Sequence, residues 1–209
     1  MHRLKKVLIL LVLASMFLTG CTTTNYQGEV MVIEEQVSDI HFKLTLLDRP
    51  SLISQYSKED NPFIDFPGKL PPRYFFVFET EISTEVSTVD FSQKNITMQI
   101  ESDMYKCSNT FTLKKAWEPY YENDSQELHM GRTINRTLKP ADFTVSPDKP
   151  YKGTLVFLVP IKEAQEATIM IPARTPEGDE GIIEIPFTLK KMVDGKEEVP
   201  SENTGIFAQ

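Results

Sequence analysis

The sequence predicts an all-β protein, a Greek-key β-sandwich or small barrel behind an N-terminal lipoprotein signal peptide, and three observations carry that expectation. Roughly eight or nine short apolar runs with turn signals between them fill about 160 residues, the spacing of a sandwich or barrel. Thirteen phenylalanines, seven tyrosines and fourteen prolines spread over those runs favour pleated, half-buried surfaces. The strongest strand signal is Phe143 to Ile171, FTVSPDKPYKGTLVFLVPIKEAQEATIMI, which reads strand, turn, strand, turn, strand. Within it Leu155 to Val159 is unbroken apolar, so both faces should be buried in the middle of a two-layer structure, and Pro160 ends the run by withholding a ladder N–H. No run suggests an amphipathic helix longer than roughly two or three turns.

The chain opens with Arg3, Lys5 and Lys6 and no acid, followed by the apolar run Val7 to Phe17. That is the plan of a signal peptide. A bilayer span needs about 20 apolar residues, and Thr19, Gly20 and Thr22 to Asn25 interrupt this run too soon. Leu18, Thr19, Gly20 and Cys21 resemble the bacterial lipobox read by signal peptidase II. The resemblance implies cleavage before Cys21 and acylation of that residue, and two or more chains, at about 0.8 kcal/mol per buried methylene, give stable anchoring. Thr22 stands where an aspartate would retain the protein in the inner membrane of enteric bacteria. The expected location is therefore the cell membrane or outer membrane, facing outside the cytoplasm.

Without the leader, 189 of the 209 residues remain, enough for one domain with a real core. Three of the 22 basic residues leave with it, so 19 face 30 acids, a formal net charge of −11 that argues against nucleic acid as a partner. With Cys21 acylated, Cys107 has no intrachain partner and reads as a buried small hydrophobe rather than a nucleophile.

Residues 21–28 read as a flexible tether, residues 29–193 as the sandwich, and residues 194–209, charged and glycine-containing, as a disordered tail. Glu29 to Val37 and Ile40 to Leu47 are the first strands; the second alternates Ile40, Phe42, Leu44 and Leu46 with His41 on the wet face. Asp48 to Pro72 is a long proline-rich connection whose Phe63, Ile64 and Phe66 favour docking on the domain. Arg73 to Ser83 is a strand, doubly buried near Phe75 and Val77, and Thr88 to Gln93 a corner leading to the alternation Ile96, Met98, Ile100. Cys107 to Lys115 alternates Phe111 and Leu113 and reads as another strand. Ala116 to Ser125 holds Trp117, Tyr120 and Tyr121, either a platform for a sugar or protein or a loop packed under the sheet edge. Gln126 to Pro140 fits a short helix or a weak edge strand. Ala173 to Gly181 is a hairpin loop, and Pro186 marks Ile182 to Leu189 as an edge strand or bulge.

Arg73 to Ile82 (RYFFVFETEI), the corner Asp90-Phe91-Ser92, Lys139 to Val145 and above all Tyr151 to Pro160 (YKGTLVFLVP) look like the immunoglobulin-like domain of secreted bacterial lipoproteins in the DUF4352 or telokin-like group. The resemblance runs from Arg73 to Ile171 and implies an extracytoplasmic immunoglobulin-like Greek-key sandwich without established catalytic residues. The long Asp48 to Pro72 connection and the aromatic insertion at Trp117 depart from that pattern.

No catalytic constellation stands out. His41 and His129 are far apart in sequence and occur in no H-E-x-x-H, and no G-x-S-x-G or phosphate-cradling glycine loop is present. The acidic groups Glu177, Asp179, Glu180 and Glu122, Asp124, Glu127 lack EF-hand spacing and read as solvated loops. No catalytic residue, metal or cofactor is expected. The favoured reading is a non-enzymatic module held on the membrane through acylated Cys21 that binds an envelope protein. The second is a carbohydrate-binding module using Trp117, Tyr120 and Tyr121; a hydrolase built from distant carboxylates ranks last.

Overall fold

The computed structural model describes residues 24–25, 31–57, 61–64, 74–138, 142–160, 165–175, 178–189, 192–193 and 196–197. Leu18, Thr19, Gly20 and Cys21, Phe66, Glu177 and most of the 194–209 tail lie outside them. In chain order the elements are β1 (Thr24–Asn25), β2 (Met31–Val37), β3 (Ile40–Leu46), α1 (Arg49–Tyr56), β4 (Tyr74–Thr84), β5 (Val89–Ser92), β6 (Thr97–Ile100), β7 (Asp103–Lys106), α2 (Thr110–Trp117), α3 (Asp124–Thr137), β8 (Asp142–Val145), β9 (Tyr151–Val159), β10 (Gln165–Arg174), β11 (Glu180–Leu189), β12 (Met192–Val193) and β13 (Lys196–Glu197).

Among the described residues two open antiparallel sheets, of four and six strands, face one another, three helices cover part of the outer face of the four-stranded one, and a small third sheet joins β1, β12 and β13. The expected all-β, immunoglobulin-like Greek-key sandwich is thereby corrected to a mixed α/β fold in layers: helices, a four-stranded sheet, a six-stranded sheet. The reason is local. Asp48 accepts the Ser51 N–H at 2.8 Å and Pro50 occupies the first turn, so the proline-rich connection begins as helix α1. Asn109 and Thr112 form a reciprocal capping box, which makes a helix of the segment read as a strand from Phe111 and Leu113. Asn123 caps α3, whose Met130, Thr133, Ile134 and Thr137 fall on one buried stripe. At 14 residues, α3 is longer than any helix the sequence suggested.

The four-stranded sheet runs β2-β3-β4-β9. On β4, Phe76, Phe78 and Ile82 point into the core between the sheets, while Phe75 and Val77 point into a second core under the helices. The same outer face changes to Glu79 and Glu81, both exposed on the strand, where helical cover ends. Strand β9 divides likewise, with Leu155, Phe157 and Val159 inward and Val156 and Leu158 toward the helices. The apolar run at Leu155 is therefore buried on both faces, although β9 is the edge of its sheet. Its open edge is partly closed by the Gln93 side chain, which donates to the Thr154 carbonyl at 3.1 Å, and by the Ser108 N–H, which donates to Val156 at 2.7 Å. Both bonds satisfy acceptors an edge strand would otherwise leave open.

The six-stranded sheet is built on β10. Strand β11 pairs along its whole length, so β5 and β6 share the other edge, at Ala173–Arg174 and Ala167–Met170 respectively. Between them a 3-10 turn, Gln93–Asn95, leaves the sheet. Thus the predicted corner at Asp90-Phe91-Ser92 is a strand, and the corner follows it. Pro172 sits at this break, where a missing N–H matters least. Pro186 lies on β11, which pairs with β10 alone in this sheet. Strand β1, in the segment read as tether, pairs with β12, which pairs in turn with β13.

Candidate functional site

The helical layer is held by an anchor that the sequence could not place. Asn61, 2 % exposed, donates to the carbonyls of Leu52 and Ser57 and accepts the Phe63 N–H at 3.0 Å, which turns Phe63 and Ile64 into the second core. The Trp117 indole N–H donates to the Pro62 carbonyl at 3.0 Å, and its ring stacks on Phe75 at 6.3 Å and 11°. Trp117 is 5 % exposed. Of the three rings of the expected platform, Trp117 thus lies inside the helical layer, and Tyr120 and Tyr121 are half-buried against the same core.

Tyr121 nevertheless opens onto a groove of about 680 Å³ between α2 and α3. The helices pack against one another across a short connection, and Gly131 faces Lys114 there; a Cβ would rest 3.6 Å from the Lys114 Cε, an ordinary contact that does not require glycine. The inward stripes of both helices, Leu113 and Trp117 on α2 and Met130 and Ile134 on α3, are committed to the core. Their other stripes line the groove, placing Phe111, 71 % exposed, and Leu128, 55 % exposed, along it. Lys115 lies over the Phe111 ring, 5.8 Å from its centre. Near the connection the lining is acidic, with Glu118, Asp124 and Glu127; farther along it is basic, with Lys114, Lys115 and Arg132. The Tyr121 hydroxyl is shielded from solvent and meets no hydrogen-bond partner among the described residues. Burial, with lesser contributions from Glu127 and Glu118, pushes its ionisation up.

The other sequence candidates stay apart. His41 is partly exposed on β3, 3.6 Å from Glu85, and His129 is exposed on α3. Burial pushes the Cys107 thiol up to about 11, against smaller opposing effects of the Val156 backbone and Gln93, so it stays protonated at neutral pH. Among the described residues no group of three or more His, Cys, Asp or Glu side chains is placed to hold a metal ion. A polar groove of about 550 Å³ between α1, α3 and the uncovered half of the sheet holds two engaged carboxylates, Glu79 with Gln55 and Glu81 with Lys152, each at 2.9 Å, and is also lined by Arg136.

Phe111 and Leu128 were missed because their exposure depends on which helix stripe the core takes. The capping residues Asn109, Thr112 and Asn123 were the available signal. No family model matches the chain, and no curated protein matches it. Among solved structures, a DUF4426 family protein from Pseudomonas aeruginosa aligns over 75 % of this chain and 93 % of its own, at 6 % identity and a TM-score of 0.33, a likeness that assigns neither family nor function.

Proposed function

We propose that this chain is a membrane-anchored bacterial lipoprotein whose extracytoplasmic domain is a non-enzymatic protein-binding or envelope-assembly module, docking its partner in the groove between α2 and α3. The observation that carries this reading is the exposure of Phe111 and Leu128 along one groove. Single exposed apolar side chains are ordinary. Two that line a trough between helices match the spaced anchors of an amphipathic helix laid into it. The charges favour one kind of partner: a segment with acids toward Lys114, Lys115 and Arg132 and bases toward Glu118, Asp124 and Glu127. Anchoring rests on the lipobox and Cys21.

The test is photo-crosslinking in the native host from Phe111 and from Leu128, with exposed Glu35 on β2 as control, alongside intact mass. The expected result is a chain beginning at acylated Cys21 and one envelope-protein adduct shared by both groove positions. That adduct should map to an amphipathic segment and disappear in Lys114→Glu/Lys115→Glu. An identical pattern from Glu35, or no adduct, overturns the docking reading; an unacylated chain overturns the anchor.

A further inference from the structure

We propose that a second groove, on the opposite side of the molecule at the break between β5 and β6, is a saccharide site, fitted by Lys94 and Lys149 to a sugar that bears an anionic group. The groove is about 980 Å³ and lies on the outer face of the six-stranded sheet. That volume is within the usual range for small-ligand sites. It exists because β5 leaves β10 through the Gln93–Asn95 turn, carrying Lys94 and Asn95 outward, while Gln93 turns into the core.

The floor is apolar and the rim polar. Pro172 and Ile182 are cross-strand partners, Ile182 being 60 % exposed, and they offer a flat patch for the C–H face of a sugar ring. On the next pair of strands two hydroxyl–carboxylate pairs face outward. Thr144 Oγ1 donates to Asp90 Oδ1 at 2.6 Å, and Ser92 Oγ donates to Asp142 Oδ1. With both hydroxyl hydrogens engaged, what these four side chains still offer is lone pairs, on Ser92, Thr144 and the free carboxylate oxygens. An acceptor-rich rim recognises a donor-rich ligand, and a sugar presents several O–H groups on each ring, whereas a peptide backbone presents one N–H per residue. Arg174 is engaged by Glu180, Nε to Oε1 at 3.8 Å. Lys94 and Lys149 stand on the same lining and supply the positive charge that selects an anionic substituent, Lys149 acting also on the neighbouring Asp148 carboxylate.

The experiment is calorimetric titration of the full lipoprotein in detergent micelles with chitobiose, with the disaccharide of N-acetylglucosamine and N-acetylmuramic acid, and with an acidic tetrapeptide. Both disaccharides should bind, the carboxylate-bearing one more tightly. Lys94→Ala and Lys149→Ala should each weaken it by up to about fivefold, the range of an exposed charge pair, and leave chitobiose unchanged. Ser92→Ala/Thr144→Val should weaken both sugars. Phe111→Asp, which disables the helical groove, should change neither, so failure here is separable from failure of the docking reading. Absence of saturation by either sugar, binding of the tetrapeptide as tightly as the acidic disaccharide, or indifference to Ser92→Ala/Thr144→Val overturns the proposal.

Discussion

Tyr151 stacks on Phe143 with ring centres 3.7 Å apart, and its hydroxyl lies where a side chain on Gly153 would have to be. A Cβ at Gly153 would come within 2.0 Å of that oxygen. Gly153→Ala is therefore expected to cost about 1–3 kcal/mol, the usual penalty for overpacking, measured by urea unfolding. The Tyr151 hydroxyl is itself shielded and meets no partner among the described residues, and burial pushes it up to about 12. Removing an unsatisfied buried hydroxyl relieves a desolvation penalty, so Tyr151→Phe should raise stability by about 1 kcal/mol; a loss would show that the hydroxyl is satisfied. Cys107 gives a pH dependence. Its folded value of about 11 lies above the ordinary 9.0, so its contribution is complete below pH 9 and is lost as pH rises toward 11, at about 1.4 kcal/mol per unit. Cys107→Ala should flatten that alkaline limb in unfolding measured across pH. Burial of Cys107 was legible from its type, whereas the Tyr151–Gly153 contact, two residues apart on one strand face, was not.

Strands were legible at the level of elements because their signal repeats. Ile40, Phe42, Leu44 and Leu46 alternate over the whole of β3 and are buried as the alternation requires. Helices α1 and α2 have eight residues each and begin on one or two capping residues, Asp48 for α1 and the Asn109–Thr112 box for α2, a signal easily outvoted by a chance alternation such as Phe111 and Leu113. Asn109→Ala should therefore cost about 1 kcal/mol, the usual worth of an N-cap, seen in thermal unfolding and in lost protection of the Thr112 amide. Trp117→Ala should cost about 3–5 kcal/mol, because it empties a core position and leaves the Pro62 carbonyl without its donor. A cost below about 1 kcal/mol, the level of a surface substitution, would place the Trp117 ring outside the core.

For the whole molecule, the pairing of β1 with β12 bears on the anchor. Thr24 is three peptide steps from Cys21, a reach of at most about 11 Å, so a ladder at β1 keeps the C-terminal hairpin β12–β13 close to Cys21, the residue proposed above to be acylated. Asn25→Pro cannot donate to that ladder, and hydrogen exchange should accelerate at Met192 and Val193 while Phe78 and Leu155 stay protected. Equal protection in both chains would show that β12 is held by other contacts. The net charge, the alternation of the strands and the double burial of Leu155 to Val159 could be read from the chain alone, because all of them are local patterns or sums. Tertiary structure decided that a helical layer supplies the second cover over β9, that Trp117 is an internal anchor, and that Phe111 and Leu128 face outward while Asp90, Ser92, Asp142 and Thr144 converge across two strands. Which face of an element is covered depends on chain far away in sequence, and so does which polar groups are left to meet a ligand.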